Sequence, residues 1–404
     1  MIIFKKGKFK EMPVILRNSL RQLMPLSLIY AWLQIMDSVF LAPDSFFVET
    51  SHLVIYSESW MFFASQMVQV FSKIVMTIIA SYFVFLILMS YQELQKRPPS
   101  FLPTFGFLLT WILFGESGFN NHFVHQPYWF LLALLAFSIL FFEKRIKFKS
   151  SLSPAIIVTV LVCLSAHLAH YLSMDSDLSP NSLLQDYLSS LIGDGPRSLL
   201  QVILWSGLAI FLQDFGLFVP DILQKPSKEL LVYSENLNAT LSKQVEHLPH
   251  LFSFYTLRDS FAMFGGIGIL LALVLAVLIE SRRGHNNDNQ RMGFLCLAPI
   301  LFDQNLPFLV GFPIILQPLF IFPMLVTTAL AEIFGAILLA LGWLSPAVYS
   351  VPKGTPSLFF GFLASNGDWR YLFVILIIIS FSVVIYLPFV KRALKQGGCH
   401  EENL

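Results

Sequence analysis

Apolar residues in this chain come in long runs broken by short polar or basic stretches. The runs are continuous rather than alternating at period two, which argues against a membrane barrel. Helices are the remaining way to satisfy a backbone in lipid. The runs predict spans over Leu23 to Phe40, Gln66 to Tyr91, Phe101 to Phe114, Tyr128 to Phe142 and Pro154 to Tyr171. The third is only just long enough, if tilted. Leu199 to Leu223 is apolar but interrupted by Gln213, Asp214 and Gly216. Phe261 to Ile279 reads as a strong span. Phe320 to Leu341 is another, with Glu332 inside it as a lone acid, and Tyr371 to Phe389 is the last.

The breaks between runs carry orientation. Lys5, Lys6, Lys8, Lys10, Arg17 and Arg21 make the first residues basic, and Val14, Leu16, Leu20 and Leu23 interleave with them, as in a helix lying in a membrane surface. Residues 93–99, 143–149, 280–291 and 391–395 are also basic, whereas Asp175, Asp177, Asp186 and Asp194 lie in a stretch without Lys or Arg. The excess of cations on cytoplasmic loops places both termini in the cytoplasm. Simple counting then fails around 281–291, which comes out on the wrong side. A half-crossing within 225–260 resolves it, and Ser345 to Asp368, rich in Pro, Gly and small polar residues, is a second candidate for a re-entrant segment. Gln66, Gln69 and Lys73 share one helix face, either near the membrane edge or toward a protein interior.

The stretch from Leu301 to Pro318 stands out in this setting. Pro307, Gly311, Pro313 and Pro318 each disturb a regular helix. Asp303, Gln304, Asn305 and Gln317 are not tolerated unpaired by hydrocarbon. Broken backbone at membrane depth persists only inside protein or along a wet cavity, and such interruptions point to a transporter's binding site. The plainer reading is a kinked helix end with polar residues at the interface. Gly265, Gly266 and Gly268 likewise allow a close approach of backbone to ligand or neighbour, or ordinary packing through small residues.

Composition agrees with the pattern. The 404 residues are 56% hydrophobic and 13% charged, about half the charged share of a soluble domain, so the chain reads as an integral membrane protein. A formal charge of +1 gives no reason to expect nucleic acid. Cys163, Cys296 and Cys399 are too scattered for a disulfide framework or a thiolate metal site. His122 and His125 have helical spacing but no acidic or Cys partner nearby, so no metal is expected, and nothing suggests a cofactor. The basic start lacks a short apolar core with a cleavage site, so no removable signal peptide is expected.

The order of motifs in the second half is similar to that of a known family. These motifs are the Gly265-Gly266-x-Gly268 opening, Asn305-x-Pro307-x-x-x-Gly311-x-Pro313-Ile314-x-Leu316-x-Pro318, Thr355-Pro356, Gly361-Phe362-Leu363-Ala364 and Gly367-Asp368-Trp369-Arg370. Together they resemble the membrane IIC component of the bacterial phosphoenolpyruvate:sugar phosphotransferase system, in its lactose/chitobiose (cellobiose) branch. The match is specific over roughly 260–392 and weaker but compatible over 12–225.

The resemblance implies an all-α polytopic fold of about ten transmembrane helices with re-entrant hairpins, like the IIC proteins of the glucose superfamily. It implies a five-span scaffold over 1–194 that forms a homodimer, a sugar-binding domain over 195–392, and a cytoplasmic tail over 393–404. The protein would sit in the bacterial inner (plasma) membrane among lipid. It would take a disaccharide such as cellobiose, chitobiose or lactose across without an ion gradient, for phosphorylation by a cytoplasmic IIB partner that is itself served by IIA. Phosphoryl-transfer chemistry then resides in the partners, so no catalytic residue is assigned to this chain. The expected substrate-binding residues are Gln213, Asp214, Phe215, Gly265, Gly266, Asp303, Gln304, Asn305 and Gln317. Two departures matter. The acid of the family's Asn-Glu-Pro motif is here Leu306, and the His of its Gly-Ile-His-Gly motif is Phe215. Neither replacement can hydrogen-bond a reacting hydroxyl. The alternative is therefore an IIC-like membrane sensor, or an anchor for a signalling domain, that no longer transports.

Overall fold

In a computed structural model, which describes residues 12–51, 58–96, 100–114, 128–146, 187–217, 219–224, 227–242, 248–284 and 286–401, the apolar runs become helices. There is no β-strand among the described residues; one isolated bridge joins Ser45 to Lys353. The expected span at 154–171, and His122, His125, His167 and His170, lie outside the described residues. Among the described residues four helices are long and apolar enough to cross a membrane: Met24–Leu41, Ser59–Leu94, Ile321–Ala340 and Arg370–Lys395. Leu102–Ile112, Trp129–Phe141 and Leu199–Asp214 are shorter apolar helices.

The first crossing starts with Pro25 in its opening turn, where the missing N–H is harmless. It continues as a π-helical turn, Met36–Leu41, and ends at the extended residue Ala42. Beside it runs the 37-residue helix Glu58–Leu94. At 1.5 Å per residue this is roughly 55 Å long, well beyond a hydrocarbon core of about 30 Å. Its polar face has a partner inside the protein. Ser65 donates to one oxygen of Asp37 at 2.5 Å and Gln69 to the other at 3.2 Å, while Gln66 stays exposed. Gln69 is exposed as well, so this hydrogen-bonded face is not a buried one.

The second half departs from a simple series of spans. Phe261 to Ile279 is not one helix. A short helix ends at Phe261 and the next, Leu270–Arg283, begins nine residues later. Between them Gly265, Gly266 and Gly268 have φ of +77°, +104° and +83°, and Ile269 has φ +52°. Positive φ interrupts the right-handed ladder, and for β-branched Ile269 it is a true outlier. Hydropathy does not register this, because all these residues are apolar or small.

Leu270–Arg283 then turns back as Asn287–Leu301, and the two pack side by side. Asn286 makes the turn a clean helix start, its side chain accepting from the Asn289 N–H at 3.1 Å. Arg282 and Arg283 sit in the last turn of the first helix, where cations suit the helix dipole. The helices rise only about 21 and 23 Å, short of a full crossing. Their far ends, 262–269 and 302–305, consequently lie next to each other. The chain re-forms a helix at Leu306–Gly311, breaks again, and enters Ile321–Ala340.

Two further contacts hold the remaining helices together. Ile321–Ala340 packs on Leu199–Asp214, and Ser206 donates to the fully buried Glu332 at 2.5 Å, which gives that lone acid a partner. Arg370–Glu401 packs on Leu270–Arg283, and the Tyr386 hydroxyl donates to the Gly268 carbonyl and lies 3.1 Å from the Thr327 hydroxyl. The exposed backbone carbonyl of the glycine-rich break is thus satisfied from a neighbouring helix.

Candidate functional site

Several pieces of interrupted backbone converge on one point. Beyond Asp214 the Leu199–Asp214 helix ends at Gly216, whose φ is +65°. The Gly216 carbonyl accepts from the Phe130 N–H at 3.1 Å, and the Asp214 carbonyl accepts from the Leu316 N–H at 2.6 Å. Gly216 is required there, since a Cβ would come within 2.8 Å of Trp129 Cβ. The Gln213 amide reaches toward the Ile267 carbonyl at 3.5 Å. Segments 128–130, 213–217, 265–268, 303–306 and 315–316 are thereby held around a cavity of about 310 Å³. That is at the small end of the range for ligand pockets, ~300–1,000 Å³.

Gln213, Gly266, Asp303, Gln304 and Asn305 all line this cavity. The Asn305 amide rests against Gly266, since a Cβ built there would come within 2.3 Å of Asn305 Nδ2. Asp303 lies deep in the protein yet is solvent-accessible, because its open side faces the cavity. Its carboxylate lies near the Ser357 hydroxyl and the Gly265 N–H. Gly265 N–H donates to Ser357 Oγ at 3.0 Å, which holds those two groups together. Asp303 itself has φ +59°, a strained conformation for a residue with a side chain.

The other expected residues lie off the lining. Gly265 is buried behind the wall and Gln317 is half-buried on the next turn. Phe215 is 45% exposed and stacks on Phe211, pointing away from the cavity. Asp214 is buried within electrostatic reach of the Tyr386 hydroxyl, and neither of its carboxylate oxygens has a hydrogen-bond partner among the described residues.

The cavity also has walls that the motifs did not single out. Tyr30 and Gln34 come from the first crossing, one turn apart and so on one face. Trp129 starts its helix and meets Phe83 edge-on, with ring centroids 5.1 Å apart. Asp221 and Gln224 follow the break after Asp214. The polar Gln34 inside an apolar run was the available signal; Asp221 and Gln224 looked like an ordinary helix end. Among the described residues no group of three or more His, Cys, Asp or Glu is placed to hold a metal.

A partly open pocket with amides, carboxylates and aromatic walls suits a molecule rich in hydroxyls. Asn305→Ala removes one desolvated hydrogen-bonding group from it. For a cavity that takes a sugar, the expected result is an affinity weaker by about 1–3 kcal/mol, with the fold intact. Calorimetric titration of the purified variant with cellobiose checks this, and an unchanged affinity would move the site elsewhere.

The structure thus defines a helical membrane protein with a cavity of mixed polar and apolar lining between broken helices. Its sequence is similar to IIC components of sugar phosphotransferase systems. It is 36% identical over 137 residues to the cellobiose-specific EIIC component of the phosphotransferase system of Lactococcus lactis subsp. lactis (strain IL1403), covering 34% of this chain and 27% of that protein. It is 30% identical over 160 residues to the lichenan permease IIC component of Bacillus subtilis (strain 168), covering 39% and 34%. The cellobiose-specific EIIC component of Geobacillus stearothermophilus is 27% identical over 218 residues, covering 53% and 45%. The chain thus spans about a quarter to a half of the length of these relatives. No family model matches it. The crystal structure of the transporter ChbC, the IIC component from the N,N'-diacetylchitobiose-specific phosphotransferase system, aligns over 97% of this chain and 95% of that one, with a TM-score of 0.44 and 20% identity.

Proposed function

We propose that this chain is the sugar permease (IIC) subunit of a phosphoenolpyruvate-dependent phosphotransferase system, binding and translocating a disaccharide of the cellobiose, chitobiose or lactose type. The observation that carries the reading is the cavity. Five of the residues expected to bind substrate, Gln213, Gly266 and Asp303 to Asn305, line it together, in a chain whose relatives are named for cellobiose and lichenan. On this reading the half-length pair Leu270–Arg283 and Asn287–Leu301 is a re-entrant hairpin within a fold of about ten spans. Residues 1–194 form the dimer scaffold, 195–392 hold the sugar, and both termini face the cytoplasm, where IIB and IIA act.

One observation favours a second reading. Leu306 lines the cavity where the family carries its acid, and Phe215 stands where it carries its His and points away. Without those groups, general acid–base help worth about a hundredfold or more is missing. An IIC-like sensor that binds sugar without passing it on fits that loss. Uptake and phosphorylation of labelled cellobiose, lactose and chitobiose, in cells supplied with IIA and IIB, separate the readings. A permease gives intracellular sugar with slow phosphorylation. Binding without uptake supports the sensor, and absence of both binding and uptake overturns the sugar reading.

A further inference from the structure

The Leu199–Asp214 helix ends on an acid that the protein encloses and leaves unpaired. Asp214 is 1% exposed, and neither carboxylate oxygen has a hydrogen-bond partner among the described residues. The elements around this helix bring no cation to it. Glu332, on Ile321–Ala340, is an acid that takes its hydrogen bond from Ser206. Arg258, in the turn 254–258, is paired with Asp259 at 2.6 Å. Asp221, on the short helix that follows, is a further acid. The Tyr386 hydroxyl lies within electrostatic reach of Asp214 but donates to the Gly268 carbonyl. A bare carboxylate is costly in such a shell, whereas the neutral acid is tolerated. Ionisable groups placed so inside a membrane protein mark ion pathways and proton relays.

Asp214 is also built into the cavity wall by its backbone. Its carbonyl accepts from the Leu316 N–H at 2.6 Å. Gln213 and Gly216 on one side of that bond and Ile315 on the other line the cavity. Gly216 approaches Ile315 so closely that a Cβ would fall 3.1 Å from Ile315 Cγ2. A charge on Asp214 is satisfied only if the acid moves to water or water enters. Either disturbs the segment that carries Gln213 and Gly216. The proton therefore keeps the wall in place.

We infer that Asp214 is a proton-binding site linked to the cavity, and that a proton and the sugar bind together. This rests on the sugar-permease reading and adds a second ligand to it. Linkage is reciprocal: a sugar that needs the intact wall favours the protonated acid, and the protonated acid favours the sugar. Sugar affinity is then full where Asp214 is protonated and is lost as pH rises through its titration. Asp303 and Asp221 also line the cavity, but both are exposed, so their charges strand nothing in the interior.

The test is calorimetric titration of the purified full chain with cellobiose, lactose and N,N'-diacetylchitobiose from mildly acid to alkaline pH, with the melting temperature taken at each pH. The expected result is an affinity that falls by about tenfold or more as pH rises while the protein stays folded, within the usual range of coupling between two sites. Asp214→Asn keeps the shape and does not ionise. It is expected to bind with one affinity at every pH, and to melt at alkaline pH no lower than the unaltered protein. A flat profile in the unaltered protein overturns the inference and leaves the permease reading standing. A fall that persists in Asp214→Asn overturns the role of Asp214. So does a variant too unstable to purify, because an amide and a neutral carboxyl are close in size and shape. Failure of all three sugars to bind at any pH overturns the permease reading and the inference with it.

Discussion

Gly266→Ala is expected to abolish most of the sugar affinity and to lower thermal stability sharply. Gly266 has φ +104°, a region open to glycine and strained for alanine. The strain amounts to about 1–2 kcal/mol. A Cβ would also come within 2.3 Å of Asn305 Nδ2. That atom belongs to a cavity-lining amide on the facing segment at the hairpin's tip, so it must be pushed aside. Overpacking of this sort adds about 1–3 kcal/mol, and the displaced amide no longer reaches the ligand. Loss in affinity of about tenfold or more follows. Two comparisons separate the terms. Gly342→Ala also places alanine at positive φ, +65°, but nothing lies within 4 Å of its Cβ, so it is expected to show the strain alone. Combining Gly266→Ala with Asn305→Ala relieves the clash and should recover stability relative to Gly266→Ala, a coupling that independent sites do not show. If Gly266→Ala melts and binds like the unaltered protein, the tip does not pack as described.

That glycine illustrates how much of the site was legible in the chain. The glycine-rich opening singled out Gly265 and Gly266, polar residues in a broken apolar stretch singled out Asp303 to Asn305, and the structure brings Gly266 and the last three to one cavity. Polar residues and glycines within apolar surroundings are visible in a sequence because each is costly unless something nearby accommodates it. Long uninterrupted spans were legible for the same reason: Phe320 to Leu341 was expected and Ile321–Ala340 is found. What hydropathy misses is backbone direction. Phe261 to Ile279 has the composition of a crossing helix, yet its first half is a coil of positive-φ residues. The turn at 284–286 looked like the edge of a basic loop, although Asn286 and Asn289 had the spacing of a cap and its N3 position. Asp214 and Phe215 were singled out with Gln213, but a helix rotates successive residues by about 100°, and only Gln213 of the three lines the cavity. Tyr30, Trp129 and Asp221 come from segments distant in sequence, and no local pattern joins them.

Arg258 is a further residue whose place the sequence hid, and it carries the last prediction. It closes an amphipathic connector, where a cation is ordinarily solvated. In the structure it is 2% exposed, one of the largest fully buried side chains. Its guanidinium pairs with Asp259 at 2.6 Å, donates to the Ile222 carbonyl at 3.1 Å, and lies 4.2 Å over the Phe254 ring. Asp259 in turn accepts from the Ser227 N–H at 2.9 Å and its hydroxyl at 3.0 Å. The pair therefore ties Ile222 and Ser227 to the turn at 254–261, and Asp221 and Gln224, beside Ile222, line the cavity. Arg258→Ala leaves the Asp259 carboxylate buried without its cation and the Ile222 carbonyl without that donor. Breaking one side of a buried pair destabilises by about 3–5 kcal/mol. The expected result is a large drop in the melting temperature of the purified protein, with weakened sugar binding in whatever remains folded. Arg258→Met with Asp259→Leu removes both charges and keeps comparable volume. That double variant should melt above Arg258→Ala, because no buried charge is stranded, although the Ser227 hydroxyl then loses an acceptor. A double variant no more stable than Arg258→Ala would mean that the lost stability comes from packing on Phe254 and the tether to Ile222 rather than from an abandoned carboxylate.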